Sequence, residues 1–273
     1  IVKIKSSSEI ELFLEEINSN KKIQLVKSKE VSSWPMSGLN VENFTGNLAY
    51  SGSLKLQLKK KIGKNKYPHS DVLSAPIIFN NSILFTDNSG SIFNINHNGK
   101  INWKINIYKK INKKFFKILS HTFHEGILYV SDNIGYLYAI NAESGEIIWK
   151  KNYGVPFKSH IKVFNEKIYL VDQDSKLICF DFIDGSKVWE LGIASAFLKS
   201  SEYLALAISE NNSAFFINTT GDLTKVNLNN GMIEWLFPAL DVSQNNLLNF
   251  FSTSNIVIKN ETLFFSDSLL NTY

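Results

Sequence analysis

A glycine placed four residues before a tryptophan recurs along the chain and constrains its fold more than any other feature. The pairs are Gly99 and Trp103, Gly145 and Trp149, Gly185 and Trp189, and Gly231 and Trp235. Successive tryptophans are 46, 40 and 46 residues apart. A period in this range is typical of one four-stranded blade of a β-propeller.

The stretch ending at Trp149 shows how one repeat is built. Ile127–Ser131 and Tyr136–Asn141 alternate apolar and polar or small residues, as half-buried strands do. Asp132–Gly135 between them has the residues of a tight turn. Ala142–Glu146 is a second turn, with a glycine where a positive φ is most needed, and Ile147–Trp149 begins another strand.

The frame predicts four full repeats and the start of a fifth. They cover about residues 73–108, 119–154, 159–194 and 203–237, and the fifth begins at Ile256. The predicted fold is therefore an all-β propeller with about five four-stranded blades in this sequence. We expect Trp103, Trp149, Trp189 and Trp235 to hold equivalent structural positions and to fill the gaps between blades.

Aspartates recur at the first turn of the repeats, and a metal site is the alternative to a turn-forming role. They are Asp87, Asp132, Asp172 and Asp267, with Asn218 at the same place in the fourth repeat. Equivalent positions in different blades lie far apart, so we expect turn formers rather than a shared metal cluster. Ser175 stands where other repeats have Gly90 and Gly135, and those glycines do not precede a helix that could bind phosphate.

Histidine and cysteine offer little for catalysis or metal binding. His121 and His124 have a spacing that suits a metal on a helix, but at the start of a strand they face opposite sides. His69, His97 and His160 are isolated in sequence. The single cysteine, Cys179, lies among apolar residues and is expected to be a buried small hydrophobe.

Charge and the amino-terminal part add weaker indications. The net charge is +4, and the lysines are interpreted as a solvated surface, with runs at 59–61 and 113–114 and no nucleic-acid motif. Residues 1–33 are expected to be a tether with a short helix at Glu9–Ile17, and 34–273 to be the propeller. Leu54–Ile62 has a strand-like pattern. Since the sequence begins at Ile1 and ends within a repeat, we expect a fragment.

Two sequence elements resemble a known family. The repeat, with Asp-x-x-Gly before the second hairpin strand and Gly-x-x-x-Trp at the end, resembles the PQQ-type propeller repeat. The lead-in Trp34-Pro35-x-x-Gly38-x-Asn40, followed by Gly46, resembles the segment before the first blade of BamB lipoproteins, notably the alphaproteobacterial kind. This resemblance implies an eight-bladed propeller whose lead-in contributes a strand to the last blade. It also implies a lipid anchor outside this sequence, at the periplasmic face of the bacterial outer membrane.

The function implied by the resemblance is a non-catalytic scaffold in the assembly of β-barrel outer-membrane proteins, with no cofactor. Its partners would be a BamA-like barrel-assembly subunit and unfolded outer-membrane proteins, and no nucleic acid. The alternative is a periplasmic PQQ-repeat protein of another kind, a quinoprotein dehydrogenase or a ligand sensor. PQQ-dependent alcohol dehydrogenases carry a disulfide between adjacent cysteines, which one cysteine cannot form within this sequence.

The connection after Trp189 is the candidate partner-binding site. Residues 194–202 lack the usual turn residues Gly, Pro, Asn and Asp, and they place Phe197 and Leu198 before Lys199 and Glu202. An apolar pair with a polar rim suits a small anchor for a partner. In BamB proteins the corresponding loop carries a Leu-x-Leu-Arg-type stretch that contacts BamA, which Leu198 and Lys199 partly match. The alternative is that the apolar pair packs under the blade edge.

Overall fold

The computed structural model confirms an all-β protein built from repeated antiparallel sheets. It describes residues 25–52, 55–56, 58–64, 74–109, 112, 115–193, 199, 203–239, 253–267 and 272–273. The strands in blades 1 and 2 are β1 (Ile77–Phe79), β2 (Ser82–Thr86), β3 (Ser91–Asn96), β4 (Ile101–Asn106), β5 (Leu119–His124), β6 (Ile127–Asp132), β7 (Tyr136–Asn141) and β8 (Ile147–Asn152). Those that follow are β9 (Lys162–Phe164), β10 (Lys167–Val171), β11 (Lys176–Asp181), β12 (Lys187–Gly192), β13 (Leu206–Ser209), β14 (Ser213–Ile217), β15 (Asp222–Asn227), β16 (Met232–Pro238), β17 (Val257–Lys259) and β18 (Thr262–Phe264).

Each group of four consecutive strands forms one antiparallel sheet in chain order, which is the connectivity of a propeller blade. Blades 1 to 4 are β1–β4, β5–β8, β9–β12 and β13–β16, and the described part of blade 5 is the hairpin β17–β18. The first strands of successive blades, β1, β5, β9, β13 and β17, lie next to one another. They are therefore the inner strands, around the axis of the propeller.

The hydrophobic core lies between blades rather than within any one of them. Four apolar clusters join blade 1 to 2, 2 to 3, 3 to 4, and 4 to 5. Cys179 is buried in the third of these seams, among Tyr169, Leu206 and Phe216. Burial raises the pKa of its thiol to about 11, so the thiol stays protonated and behaves as a small hydrophobe. A single blade could not bury these faces alone, which explains why the repeats depend on their neighbours.

Trp103, Trp149 and Trp189 each pack on the glycine hairpin of the following blade. A Cβ atom added to Gly145 would meet the Trp103 ring at 2.7 Å, and one added to Gly185 would meet the Trp149 ring at 2.7 Å. Gly231 stands in the same relation to Trp189, at 2.9 Å. The glycines also have positive φ, between 69° and 77° at these three sites. Glycine is thus needed both for the turn and for the room that the indole takes.

The glycine hairpin of blade 1, at Gly99, is covered by residues that precede the blade instead of by a tryptophan. A Cβ atom there would lie 3.1 Å from side-chain carbons of Leu58 and Lys60, and the Lys60 ammonium donates to the Gly99 carbonyl over 2.7 Å. Leu58 and Lys60 therefore cover blade 1 where a tryptophan covers each later hairpin.

A β-bulge precedes every repeat tryptophan. The pairing of the third and fourth strands skips one residue, at Asn102, Ile148, Val188 and Glu234 in blades 1 to 4. A bulge increases the local twist and re-aims the next side chain. It turns each indole toward the neighbouring blade.

The aspartates of the first turn in blades 1, 2 and 3 are turn formers, as predicted, whereas residues 268–271, which follow Asp267, lie outside the described ranges. In blade 2 the Asp132 Oδ1 accepts the N–H groups of Ile134 and Tyr136, over 2.9 and 2.8 Å. Asp87, Asp172 and Asn218 accept the two corresponding N–H groups in their own blades. Ser175 adopts a φ of 60°, which shows how serine replaces the glycine of the other repeats.

Two other predictions about the amino-terminal part have different outcomes. Leu54–Ile62 forms no strand in its described residues 55–56 and 58–62; Leu58 and Lys60 contact the hairpin at Gly99 through their side chains instead. The helix predicted at Glu9–Ile17 lies outside the described residues. Within the described ranges, no helix has the length and apolar character needed to cross a membrane.

Trp149→Ala should lower the free energy of unfolding by about 3–5 kcal/mol, because it leaves a cavity between blades 2 and 3. Trp235→Ala is the matched control, since Trp235 is 39% exposed and should cost clearly less. Denaturant unfolding followed by circular dichroism measures both. Equal costs for the two variants would contradict the role assigned to the inter-blade seam.

Candidate functional site

The amino-terminal segment 34–43, called here the axial segment, lies along the inner strands of the described blades. The N–H groups of Ile78, Phe123, Ile208 and Ile258 donate to the carbonyl oxygens of Trp34, Pro35, Val41 and Glu42, respectively, over 2.8–2.9 Å. Each donor is the penultimate residue of its inner strand, in blades 1, 2, 4 and 5. The segment therefore passes the blades in their order around the axis.

These contacts solve a general problem of the propeller centre. An inner strand is the edge of its sheet, and its outward N–H groups need acceptors that no further strand supplies. The axial segment supplies one carbonyl oxygen to each inner strand of blades 1, 2, 4 and 5. The expectation that the lead-in adds a strand to a last blade stays a prediction, while residues 34–43 themselves lie at the axis.

Blade 3 reaches the axial segment through a side chain instead of its backbone. The Lys162 ammonium donates to the Ser37 and Asn40 carbonyl oxygens over 3.0 and 2.9 Å, and to Asn43 Oδ1 over 2.6 Å. Three acceptors match the three N–H groups of an ammonium. Burial lowers the pKa of Lys162 to about 7.

Asn43 completes this junction and explains the glycine of the lead-in. Its side-chain amide donates to the Leu206 and Ile256 carbonyl oxygens over 3.1 and 2.8 Å, which links blades 4 and 5 to the axial segment. A Cβ atom on Gly38 would lie 2.1 Å from Asn43 Oδ1. Gly38 also has a φ of 78°, so any other residue would disturb the Asn43 contacts.

Two imidazoles lie on or near the inner strands of blades 2 and 3: His121 is buried within β5, and His160 is half-buried two residues before β9. His160 stacks on Tyr203, with ring centroids 4.3 Å apart, and its Nδ1 lies 3.4 Å from Ser120 Oγ. Burial lowers the pKa of His121 to about 4 and that of His160 to about 3. Both rings are therefore neutral at neutral pH, and each has one N–H that can donate and one ring nitrogen that can accept a hydrogen bond. His160, isolated in the sequence, is thus part of a polar contact between blades.

The predicted metal-type spacing does not bring His121 and His124 together. His121 is buried at the blade 1 side of β5, whereas His124 lies at the strand end, with its side chain 34% exposed. Among the described residues there is no group of three His, Cys, Asp or Glu side chains that could hold a metal ion. His97 is exposed and His69 lies outside the described residues.

The predicted partner-binding loop is described at one residue. Phe197, Leu198 and Glu202 lie outside the described residues, and the Lys199 ammonium lies 3.0 Å from Asp174 Oδ1. Asp174 belongs to the first turn of blade 3. In blades 2 and 3 these turns bond to the connections between blades, as where the Phe157 N–H donates to the Asp132 carbonyl. Lys199 therefore belongs to the rim formed by first turns and inter-blade connections.

Sequence reasoning missed three parts of this arrangement. The bulge before each tryptophan has no residue signature, since Asn, Ile, Val and Glu all occupy it. Lys162 could have been noticed only as a lysine among apolar positions of an inner strand. The axial segment left a clearer signal, because Trp34, Gly38 and Asn40 stand out in an otherwise polar stretch, but its location at the axis depends on tertiary contacts.

The comparisons with known proteins agree with this architecture. Residues 88–266 match a family model described as outer membrane protein assembly factor BamB. This match covers more than half of the chain, and the chain therefore belongs to that family of PQQ-type propeller repeats. The uncharacterized protein RP232 of Rickettsia prowazekii (strain Madrid E) is 25% identical over 193 residues, which cover 69% of this chain and 45% of that protein.

Solved propellers of two functional kinds share the fold. BamB from Moraxella catarrhalis superposes with a TM-score of 0.54 at 16% identity, covering 73% of this chain and 56% of that one. A europium-containing methanol dehydrogenase gives 0.65 at 10% identity, covering 86% and 55%. The quinohemoprotein alcohol dehydrogenase ADHIIG of Pseudomonas putida HK5 gives 0.59 at 12%, covering 86% and 46%. The chain thus spans about half the length of its relatives, and likeness at such identities shows the fold alone.

Lys162→Met should lower the free energy of unfolding by about 2–4 kcal/mol, because three oxygen acceptors lose their buried donor. The effect should depend on pH. Since the pKa of Lys162 falls from 10.5 to about 7 on folding, the unfolded chain binds more protons between these values. Stability of the unchanged protein is therefore lost as the pH falls from 10.5 to 7 and levels off below 7.

The measurement is urea unfolding of both proteins from pH 6 to pH 10, with the exposed Lys150→Met as control. The difference in free energy of unfolding between the unchanged protein and Lys162→Met, plotted against pH, reports the titration of Lys162, because all other groups titrate in both proteins. A cost no larger than that of Lys150→Met would refute the anchoring role of Lys162, and a flat difference curve would refute the lowering of its pKa.

Proposed function

We propose that this chain is a non-catalytic scaffold in the assembly of β-barrel outer-membrane proteins, acting at the periplasmic face of the outer membrane. The observation that carries the proposal is the match to the BamB family model over residues 88–266. The lead-in adds support, because the residues that resemble BamB lipoproteins, among them Trp34, Pro35 and Gly38, are the ones that build the axial segment.

The architecture suits a role in holding other proteins. Inner edges of the blades are satisfied by the axial segment, and the seams are closed by apolar clusters, so the frame is rigid. Loops on a rigid frame are where binding residues concentrate. Lys199 lies on the rim of first turns and inter-blade connections, and the predicted contact residues Phe197, Leu198 and Glu202 are its near neighbours in sequence. We propose this rim as the docking surface for a BamA-like barrel-assembly subunit, with unfolded outer-membrane proteins as further partners.

The ion pair between Lys199 and Asp174 gives the docking proposal a specific form. Both side chains are only partly buried, with 28% and 45% of their surfaces exposed, so the pair contributes little to stability. Its effect would be to fix where residues 194–202 leave the frame. Leu198 would then be the apolar anchor, and Asp174 would act through the position of Lys199.

Leu198→Glu combined with Lys199→Glu should abolish co-purification with the BamA-like subunit of the same organism, while the thermal melt stays unchanged. Asp174→Asn is the matched control, because it removes the ion pair and leaves the proposed anchor in place, so binding should weaken only severalfold. Unchanged binding of the double variant, or a collapsed melt, would assign these residues to packing under the blade edge.

The alternative is a quinoprotein dehydrogenase or a ligand sensor, and the likeness in fold to the two dehydrogenases favours it as the second candidate. Titration of the protein with PQQ and calcium separates the two roles. Tight PQQ binding with dye-linked dehydrogenase activity would replace the scaffold proposal, whereas the scaffold role requires neither.

A further inference from the structure

The charges of this chain are segregated along its length. Residues 43–124 contain thirteen Lys and two Asp, a net charge of +11, whereas residues 125–273 contain ten Lys and seventeen acidic residues, a net charge of −7. Residues 1–42 carry six of each. The overall +4 therefore conceals a strongly basic stretch that includes blade 1 and its flanking segments, followed by an acidic remainder, and such asymmetry favours an anionic partner for one part of the molecule.

The structure places five of the described lysines of this region on or beside blade 1. Lys100 and Lys104 lie on or next to the outer strand β4, and both are exposed. Lys60 is joined to the same strand end through the Gly99 carbonyl. The Lys64 backbone N–H bonds to Asp87, at the first turn of blade 1, and Lys109 follows the outer strand back to that turn. Lys64 and Lys109 are also exposed, so the cations lie along the outer strand of the blade and at both of its ends.

No exposed carboxylate offsets these cations within the described part of residues 43–124. Asp87 is 8% exposed, and its carboxylate accepts the N–H groups of Ser89, Ser91 and Lys64. Asp71 lies outside the described residues. By contrast, the lysines of β10 to β16 face carboxylates, as in the pairs Lys167 with Asp181 and Lys225 with Glu234. Within residues 43–124 the positive charge is therefore little compensated.

Exposed apolar side chains are interleaved with the blade 1 lysines. Phe115 is 61% exposed and follows Lys113 and Lys114 in sequence. Leu56 is 77% exposed, one residue after Lys55. The Lys117 ammonium bonds to the Phe115 carbonyl over 2.7 Å and lies 4.8 Å from the Tyr108 ring, which fixes the backbone from which Phe115 projects. Phe115 is thus presented on a fixed connection, at the rim that carries Lys109.

We propose that the lysine face of blade 1, with Phe115 at its edge, binds an anionic phospholipid bilayer surface. Lysines attracted to anionic headgroups, combined with exposed Phe and Leu at the boundary, are the two components of interfacial membrane binding. Nucleic acid fits less well, because all 29 basic residues are Lys and none has the planar fork of Arg that reads phosphates and guanines. This surface lies on blade 1 and is independent of the proposed docking loop after blade 3.

The inference predicts how the protein partitions onto lipid vesicles in sedimentation. It should bind vesicles of phosphatidylcholine and phosphatidylglycerol at low salt, bind pure phosphatidylcholine weakly, and be released by high salt. Each lysine near the membrane surface raises the partition coefficient roughly fivefold. Replacing Lys64, Lys100, Lys104 and Lys109 together by Gln should therefore lower partitioning by at least about 100-fold. Phe115→Ser should lower it by about fivefold, with the salt dependence retained.

The matched control removes four exposed lysines from the acidic part of the chain: Lys150, Lys151, Lys187 and Lys259, each to Gln. Lys150 is a close counterpart of Lys104, since each directly follows its repeat tryptophan. The control should change partitioning by less than about threefold, and circular dichroism melts verify folding of every variant. Equal losses in the two lysine sets would overturn the proposal. So would heparin binding as tight as vesicle binding with no effect of Phe115→Ser, because that outcome identifies a polyanion site.

Discussion

The contact between a tryptophan and the glycine hairpin of the next blade is the constraint on which the propeller depends. An indole is among the largest apolar groups that a chain can bury, and it fits against the hairpin only where no Cβ atom intervenes. The bulge before each tryptophan directs the ring across the seam rather than along its own sheet. The bulge and the indole of one blade thus meet the glycine hairpin of the next. Because the repeats carry these three features, the same contact recurs at the seams that join blades 1 to 2, 2 to 3, and 3 to 4.

The centre of the propeller depends on a second and unrepeated element. Blades widen away from the axis, so tryptophans close the outer part of each seam while the inner strands remain open edges. The axial segment satisfies these edges with its own carbonyl oxygens, and Lys162 with Asn43 joins it to blades 3, 4 and 5. Lys162 in blade 3 contacts the axial segment across more than a hundred positions of sequence. One hydrogen-bond network therefore connects blades that are distant in sequence.

Much of the fold could be predicted from the sequence, because it is encoded locally. Alternating strands, Asx turns and the Gly-to-Trp interval each depend on a few adjacent residues, and the predicted repeats enclose the observed four-stranded blades. The axial segment and the Lys162 junction could not be predicted, since they depend on which distant residues meet at the axis. The lysine face of blade 1 was missed for another reason. Individual lysine runs look like ordinary solvated surface, and only the distribution of charge over residues 43–124 distinguishes them.

The most direct test of the account is a double-mutant cycle between Gly185 and Trp149, measured by denaturant unfolding. Gly185→Ala should be costly in the unchanged protein, because its Cβ atom would collide with the indole and the alanine would also have to adopt a positive φ. In the Trp149→Ala background only the backbone term remains, so the cost should fall by about 1–3 kcal/mol. Costs that simply add would show that the glycine serves its own turn alone, and would contradict the claim that tryptophan and glycine together define the seam between blades.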